Sequence, residues 1–276
     1  MSGTLYLVPT PIGNLGDISA RMAGTLAEVD FIAAEDTRVS LKLLNHLEIK
    51  KPLVSYYRHN TESAGSAILA RLLAGESCAL VTDAGMPAIS DPGEDLVALC
   101  AKNGVAVIAI PGPCALVTAL AVSGLPTARF TFEGFLPMNK KNRQAHLASL
   151  GGVERTMIFY EAPHKLTATL ADLAAAFGGG RRVSLCRELS KLHEEVVRTT
   201  LAGAVEKYAD QAPKGEFVLV VEGAPPAAPG EVTVEEGLAL VEQYRGEGMS
   251  LKEASRRAAE ATGLNRKALY DAALGK

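Results

Sequence analysis

The chain has 276 residues, 48% of them hydrophobic, and a formal net charge of -3; that is enough for two domains, and it excludes a surface wholly given to polyanions, so any nucleic acid must be met by local basic patches. No charged N-terminal segment leads into a long apolar core, and no apolar run approaches the roughly 20 residues of a membrane span, which predicts a soluble, cytoplasmic protein without membrane contact. The four cysteines, Cys78, Cys100, Cys114 and Cys186, are widely spaced without a CxxC pair, which predicts buried thiols and neither zinc nor a disulfide framework.

Residues 5–8 make a short apolar strand that runs into a loop rich in Pro and Gly, and a helix begins near Ser19. The loop is neither GxGxxG nor GxxxxGK(S/T), so a dinucleotide fingerprint and a phosphate loop are both missing. A second strand at 30–34 ends in Glu35, Asp36, Thr37 and Arg38, and a helix follows at 39–47. The third strand, 52–57, ends in Arg58, His59 and Asn60 before a helix at 61–74 with apolar residues near 3.6 spacing. The fourth, 78–82, opens into Asp83 to Gly93, a loop whose two glycines and two prolines let backbone groups meet a ligand without Cβ atoms in the way. Asp91, Pro92 and Glu94 resemble a capped helix start. The fifth strand, 105–110, is closed by Pro111, Gly112, Pro113 and Cys114. This alternation predicts a parallel sheet covered on both faces.

The helix at 115–122 is apolar all round, which predicts burial between two lobes. A second α/β series supplies strands near 130–132, 156–160, 183–186, 196–200 and 217–221. The expected domains are an N-terminal α/β lobe at 1–112, a second at 113–223, a Pro/Gly linker at 224–231 and a small helical tail at 232–276 with helix-turn-helix spacing.

In such a sheet, ligands bind outside the carboxyl ends of the strands. There the sequence gathers Pro11 and Gly13, Glu35 with Asp36 and Arg38, His59, Asp83 with Gly85 and Met86, and Cys114. HExxH and GxSxG are absent. What remains is a ligand with apolar and polar parts held by backbone groups and one or two carboxylates, and S-adenosylmethionine, with its cationic sulfonium and ammonium and its adenine, is one such ligand.

Five motifs carry a resemblance: LVPTPIGNLGD at 7–17, AEDTR at 34–38, VTDAGMPAISDPG at 81–93, PGPCA at 111–115 and FYEAPH at 159–164. Together they resemble the tetrapyrrole-methylase superfamily, and within it the members that methylate ribosomal RNA on a ribose 2′-hydroxyl. The resemblance implies two α/β lobes with S-adenosylmethionine in the cleft between them, usually a homodimer, and a cytidine in 16S ribosomal RNA of assembled small subunits as the target. It implies cofactor contacts at Pro11, Asp83, Gly85, Met86, Ile89, Cys114, Ala115 and Tyr160.

Methyl transfer to a 2′-hydroxyl needs in-line positioning and a proton acceptor. Glu35 or Asp36 is the expected base, with Arg38 orienting it or binding phosphate and His59 in reserve. Lys140, Lys141 and Arg143 beside Phe135 and Met138 are expected to bind RNA. The basic tail would grip RNA or act as a packing cap. Two other functions remain open at this point: a C-methyltransferase of tetrapyrroles, and a ligand-sensing regulator whose tail reads DNA.

Overall fold

The computed structural model describes residues 2–209, 213–225 and 233–274. It divides into two compact units, Met1–Ala224 and Pro225–Lys276. From residue 226 on, the expected linker at 224–231 lies outside the described residues.

Five short strands, β1 (Thr4–Leu7), β2 (Phe31–Ala34), β3 (Leu53–Ser55), β4 (Cys78–Val81) and β5 (Ala106–Ala109), form a wholly parallel sheet in the order β3-β2-β4-β1-β5. Their near-continuous apolar sequence is what two covered faces require. Successive residues of β2 divide between two cores. Phe31 and Ala33 pack with Ile68 and Leu72 of α3 (Thr61–Leu73) and with Leu96 and Cys100 of α4 (Glu94–Lys102). Ile32 and Ala34 pack with Met22 and Leu26 of α1 (Ala20–Glu28) and Leu44 of α2 (Thr37–His46). All five strands therefore point one way, and their C-terminal loops share one edge.

The second sheet contains β6 (Phe130–Phe135), β7 (Thr156–Glu161), β8 (Arg182–Arg187), β9 (Glu195–Thr200) and β10 (Phe217–Val221), in the order β6-β7-β10-β8-β9. Only β6 and β7 run parallel. One face packs on α6 (Lys140–Leu150), α7 (Leu166–Phe177) and α8 (Leu201–Lys207). The other receives α5 (Ala115–Val122) through Leu116, Ala119 and Leu120. Val117 of α5 is 53% exposed, so this helix is not enclosed on all sides as its composition predicts; it seats one face on β7 and β10.

Asp91 does not cap α4 as its sequence setting predicts. The helix starts at Glu94, with Gly93 at the N-cap and no side-chain cap, and Asp91 lines a cavity instead. The second unit holds three helices among its described residues: α9 (Val234–Gly246), α10 (Leu251–Thr262) and α11 (Arg266–Ala273). They close on a small core of Val241, Ala254, Ala258 and Leu269. Sequence periodicity missed α9, although Thr233 and Glu236 make the reciprocal capping box that announces it.

Candidate functional site

Two loops on the shared edge of the first sheet are stapled together. Thr10 and Gly85 exchange backbone hydrogen bonds, with Thr10 N donating to Gly85 O at 2.9 Å and Gly85 N to Thr10 O at 3.0 Å. The Thr10 hydroxyl donates to the carbonyl of Thr82 at 2.9 Å. Gly85 has φ +85°, a left-handed conformation that glycine adopts without steric penalty. The loop after β4 is thereby held open against the second sheet.

Between them lies a cavity of about 580 Å3, within the usual range for small-molecule sites. Asp83, Gly85, Met86, Ile89, Cys114, Ala115 and Tyr160 all line it, as does Glu35. The Tyr160 ring packs edge-on against Phe132 and Phe135 at centroid distances of 4.9 and 5.6 Å. Its hydroxyl accepts from the backbone N–H of Leu116 at 3.1 Å, fixing the first turn of α5, and burial pushes the phenol above its ordinary range. Cys114 is the N-cap residue of α5 but makes no side-chain cap bond, so what it offers a ligand is backbone and a small side chain.

The loops after β2 and β4 bring three carboxylates to the lining, those of Glu35, Asp83 and Asp91. Thr82 Oγ1 donates to Glu35 Oε2 at 2.8 Å, and Asp83 Oδ1 accepts from the backbone N–H of Asp36 at 3.2 Å. Burial raises the pKa of Asp91, and that of Asp83 too, with their carboxylate neighbours adding to it. A cationic group bound here would relieve both effects. The remaining lining is largely apolar, including Ile12, Ile89 and Val218. A largely apolar lining with these carboxylates suits a molecule with a cationic centre and a flat apolar heterocycle.

Other expected residues fall elsewhere. Pro11 lines a smaller neighbouring hollow instead. Asp36 caps α2, accepting from Arg38 N at 2.8 Å, and is gripped by the Arg38 guanidinium at 3.0 and 2.6 Å. Those hydrogen bonds lower its pKa to about 2. His59 is exposed on the turn after β3, edge-on to Tyr57 and outside the cavity lining. The reason is topological: β3 is an edge strand, at the opposite end of the sheet from β5.

On the second sheet, Lys140 and Lys141 are exposed, as RNA contacts would need to be. Arg143 is drawn inward, its side chain 13% exposed, with Nε 2.7 Å from Asp172 and an N–H donating to Thr169 Oγ1 at 3.1 Å. It ties α6 to α7, and this departs from the expected role at an RNA phosphate. The cavity also recruits Glu161, His164, Lys191 and Glu216. Glu161 and His164 lie in a motif already visible in the sequence. Lys191 and Glu216 do not, because only the antiparallel pairing of β8 with β10 brings them together, with Lys191 Nζ 2.7 Å from Glu216.

Residues 4–205 match the family model of the Tetrapyrrole (Corrin/Porphyrin) Methylases, and residues 232–276 match that of the RsmI C-terminal HTH domain. The chain is 48% identical over 272 residues to a Synechocystis protein named Ribosomal RNA small subunit methyltransferase I, with 99% of this chain and 98% of that protein covered. Identity to the protein of the same name from Halalkalibacterium halodurans is 49%, covering 98% and 94% of the two chains. Among solved structures, diphthine synthase superposes with a TM-score of 0.61 at 16% identity, over 80% of this chain and 90% of that one. Uroporphyrin-III C-methyl transferase from Thermus thermophilus complexed with S-adenyl homocysteine gives a TM-score of 0.54 at 18% identity, over 79% and 97%. These two share the fold. The chain belongs to the tetrapyrrole methylase family, alongside the ribosomal RNA small subunit methyltransferase I proteins.

Proposed function

We propose that this protein methylates a cytidine ribose 2′-hydroxyl of small-subunit (16S) ribosomal RNA, using S-adenosylmethionine. The observation that carries the reading is 48% identity along 99% of the chain to a protein named as a methyltransferase of small-subunit ribosomal RNA. The cavity supports it independently, with a largely apolar lining that also carries carboxylates.

The cofactor would be held by Asp83, Gly85, Met86, Ile89, Cys114, Ala115 and Tyr160, and when bound it supplies an electrophilic methyl group. The chain's own residues do the rest. Asp83 and Asp91 provide negative charge in the lining for the positive charge of the cofactor. Tyr160 fixes the N-terminus of α5 against the cavity wall. Glu35, oriented by the Thr82 hydroxyl, accepts the proton of the attacking hydroxyl. Asp36 serves that role poorly, because a carboxylate held near pKa 2 by an arginine has little affinity for a proton. Lys140 and Lys141 meet phosphates.

The reading carries with it a homodimer acting on assembled subunits in the cytoplasm. No helix among the described residues is long and apolar enough to cross a membrane. The test is incubation with labelled S-adenosylmethionine and small subunits lacking ribose methylation, followed by mapping of the product. Label on one ribose is the expected result; an RNA fraction free of label rejects the proposal. Analytical ultracentrifugation of the free protein reads its assembly state separately.

A further inference from the structure

Next to the large cavity is a second hollow of about 290 Å3. Pro11 and Leu15, from the loop after β1, form one wall, and Val39 and Leu43 of α2 form another. Thr82 and Asp83 line both hollows, so this short segment is the partition between them. On the other side of that partition Thr82 donates to Glu35.

The chemistry of the small hollow is specific. Its surface is mainly hydrocarbon, but the wall includes Ser40, which is 4% exposed and whose hydroxyl oxygen is buried without a hydrogen-bond partner, so it meets a ligand only once the side chain turns toward the hollow. A buried hydroxyl left unpaired is unfavourable, and a polar ligand atom would satisfy it. Lys42 and His46 also line the hollow, and both are exposed. Apolar walls, one unpartnered hydroxyl and cationic groups at the surface match the parts of a nucleotide: flat base, polar base edge and phosphates. The volume lies just under the roughly 300 Å3 at which sites for drug-sized molecules begin. It suits one base and is too small for a tetrapyrrole ring.

We propose that this hollow receives the base of the nucleotide to be methylated, unstacked from its strand, with the Ser40 hydroxyl on the polar edge of the base and Lys42 and His46 toward the flanking phosphates. The assignment rests on methyl transfer to RNA being the reaction. Enzymes that do chemistry on a base extrude its nucleotide into a close-fitting pocket at the expense of base stacking, and sequence-specific recognition of single-stranded RNA likewise takes up bases splayed out of the stack. A base seated here puts its ribose over Thr82, between the hollow and the cofactor cavity, within reach of Glu35.

Val39→Trp and Ser40→Ala separate this proposal from the reading beneath it. Val39 is 37% exposed, so a tryptophan there fills the hollow from its rim. Each variant is compared with wild type for S-adenosylmethionine binding by calorimetry, for thermal unfolding, and for methyl transfer to small subunits lacking ribose methylation. Both are expected to bind the cofactor as wild type does. Val39→Trp should lower kcat/KM for the subunits by about a hundredfold or more, and Ser40→Ala by about tenfold, the effect of one lost hydrogen bond. The unfolding temperature of Ser40→Ala should hold or rise, since its hydroxyl has no partner to lose. Wild-type kcat/KM in Val39→Trp overturns the proposal, and so does lost cofactor affinity in either variant, which would assign the hollow to the cofactor. If Val39→Trp does not fold, unchanged kcat/KM in Ser40→Ala alone overturns it. Wild-type protein that binds cofactor but leaves RNA unmethylated rejects the underlying function instead.

Discussion

The hydroxyl of Thr82 donates to Oε2 of Glu35 at 2.8 Å, joining the C-terminal ends of β4 and β2 where the two hollows meet. One carboxylate oxygen is thus occupied and the side chain is oriented, while neighbouring Asp36 is committed to Arg38 and the α2 cap. Glu35→Gln should therefore lower single-turnover methyl transfer by roughly a hundredfold to ten-thousandfold, the usual range for a general base. Cofactor affinity should hold, since glutamine still accepts from Thr82. Asp36→Asn should stay within a few-fold of wild type. Normal turnover in Glu35→Gln would remove it from the proton-transfer role.

The pH dependence of the free protein tests the carboxylate cluster. Burial raises the folded-state pKa of Asp91, so the folded chain binds that proton more tightly than the unfolded chain does. Its contribution to stability therefore falls as pH rises from the unfolded value, roughly 4, through the raised folded value. Asp91→Asn should then unfold at a higher temperature than wild type at pH 7, and the difference should vanish below about pH 4. Thermal scans across pH without cofactor read this directly; a variant less stable at pH 7 would mean that its carboxylate is held by partners that outweigh its burial.

Much of the first sheet was legible because each strand is an apolar run closed by Pro, Gly or a charged cluster, and a parallel sheet gathers those closures on one edge. Asp83, Gly85 and Met86 could be grouped for that reason. What was not legible has physical causes. His59 follows an edge strand, and edge position is a property of strand order, which no local pattern encodes. Arg143 reads as a surface cation until α7 brings Asp172 beside it. Lys191 and Glu216 meet through a sheet whose antiparallel directions have no local sequence signature. Asp91 is followed by a proline and a glutamate three residues on, yet Gly93, at φ +149°, delays the helix and leaves the carboxylate facing the cavity.

Arg143 and its lysine neighbours should separate in their effects. Lys140→Ala with Lys141→Ala should weaken subunit binding and flatten its salt dependence, reducing the slope of log K against log salt by about 0.7 for each single-strand phosphate that the protein no longer neutralises. Unfolding temperature should not move. Arg143→Ala should do the reverse, costing about 1–3 kcal/mol of stability through the lost hydrogen bond to Thr169 and ion pair with Asp172 and leaving the salt slope intact. A reduced slope in Arg143→Ala would return it to the RNA surface.

Tyr160→Phe keeps the ring packing against Phe132 and Phe135 and removes only the acceptor for Leu116 N–H. The loss should be about 0.5–1.5 kcal/mol in denaturant unfolding. Cofactor affinity should weaken with it, since Ala115 at the start of α5 lines the cavity. Tighter cofactor binding in Tyr160→Phe would contradict a role in fixing that wall.

Two glycines of the loop after β4 make a graded test of its geometry. A Cβ on Gly85 would sit 3.4 Å from Ile12 Cγ2 and 3.8 Å from the Pro113 carbonyl oxygen, so there is room for it with at most a slight shift. The obstacle is the dihedral: at φ +85° an L-residue carries a left-handed penalty of about 1–2 kcal/mol. Gly85→Ala should fold, lose that much stability and bind cofactor more weakly, because its backbone pairing with Thr10 holds the cavity wall. At Gly93 the same methyl would meet Ala88 Cβ and Leu80 Cδ2 at 2.8 Å, and φ is +149°. Neither Ala88 nor the buried Leu80 can yield without moving the core of the first sheet. Gly93→Ala should therefore be the more destabilised of the two, as measured by unfolding midpoints in urea. Equal midpoints would show that the loop relaxes around Gly93, and the rigid wall inferred for the cavity would have to be given up.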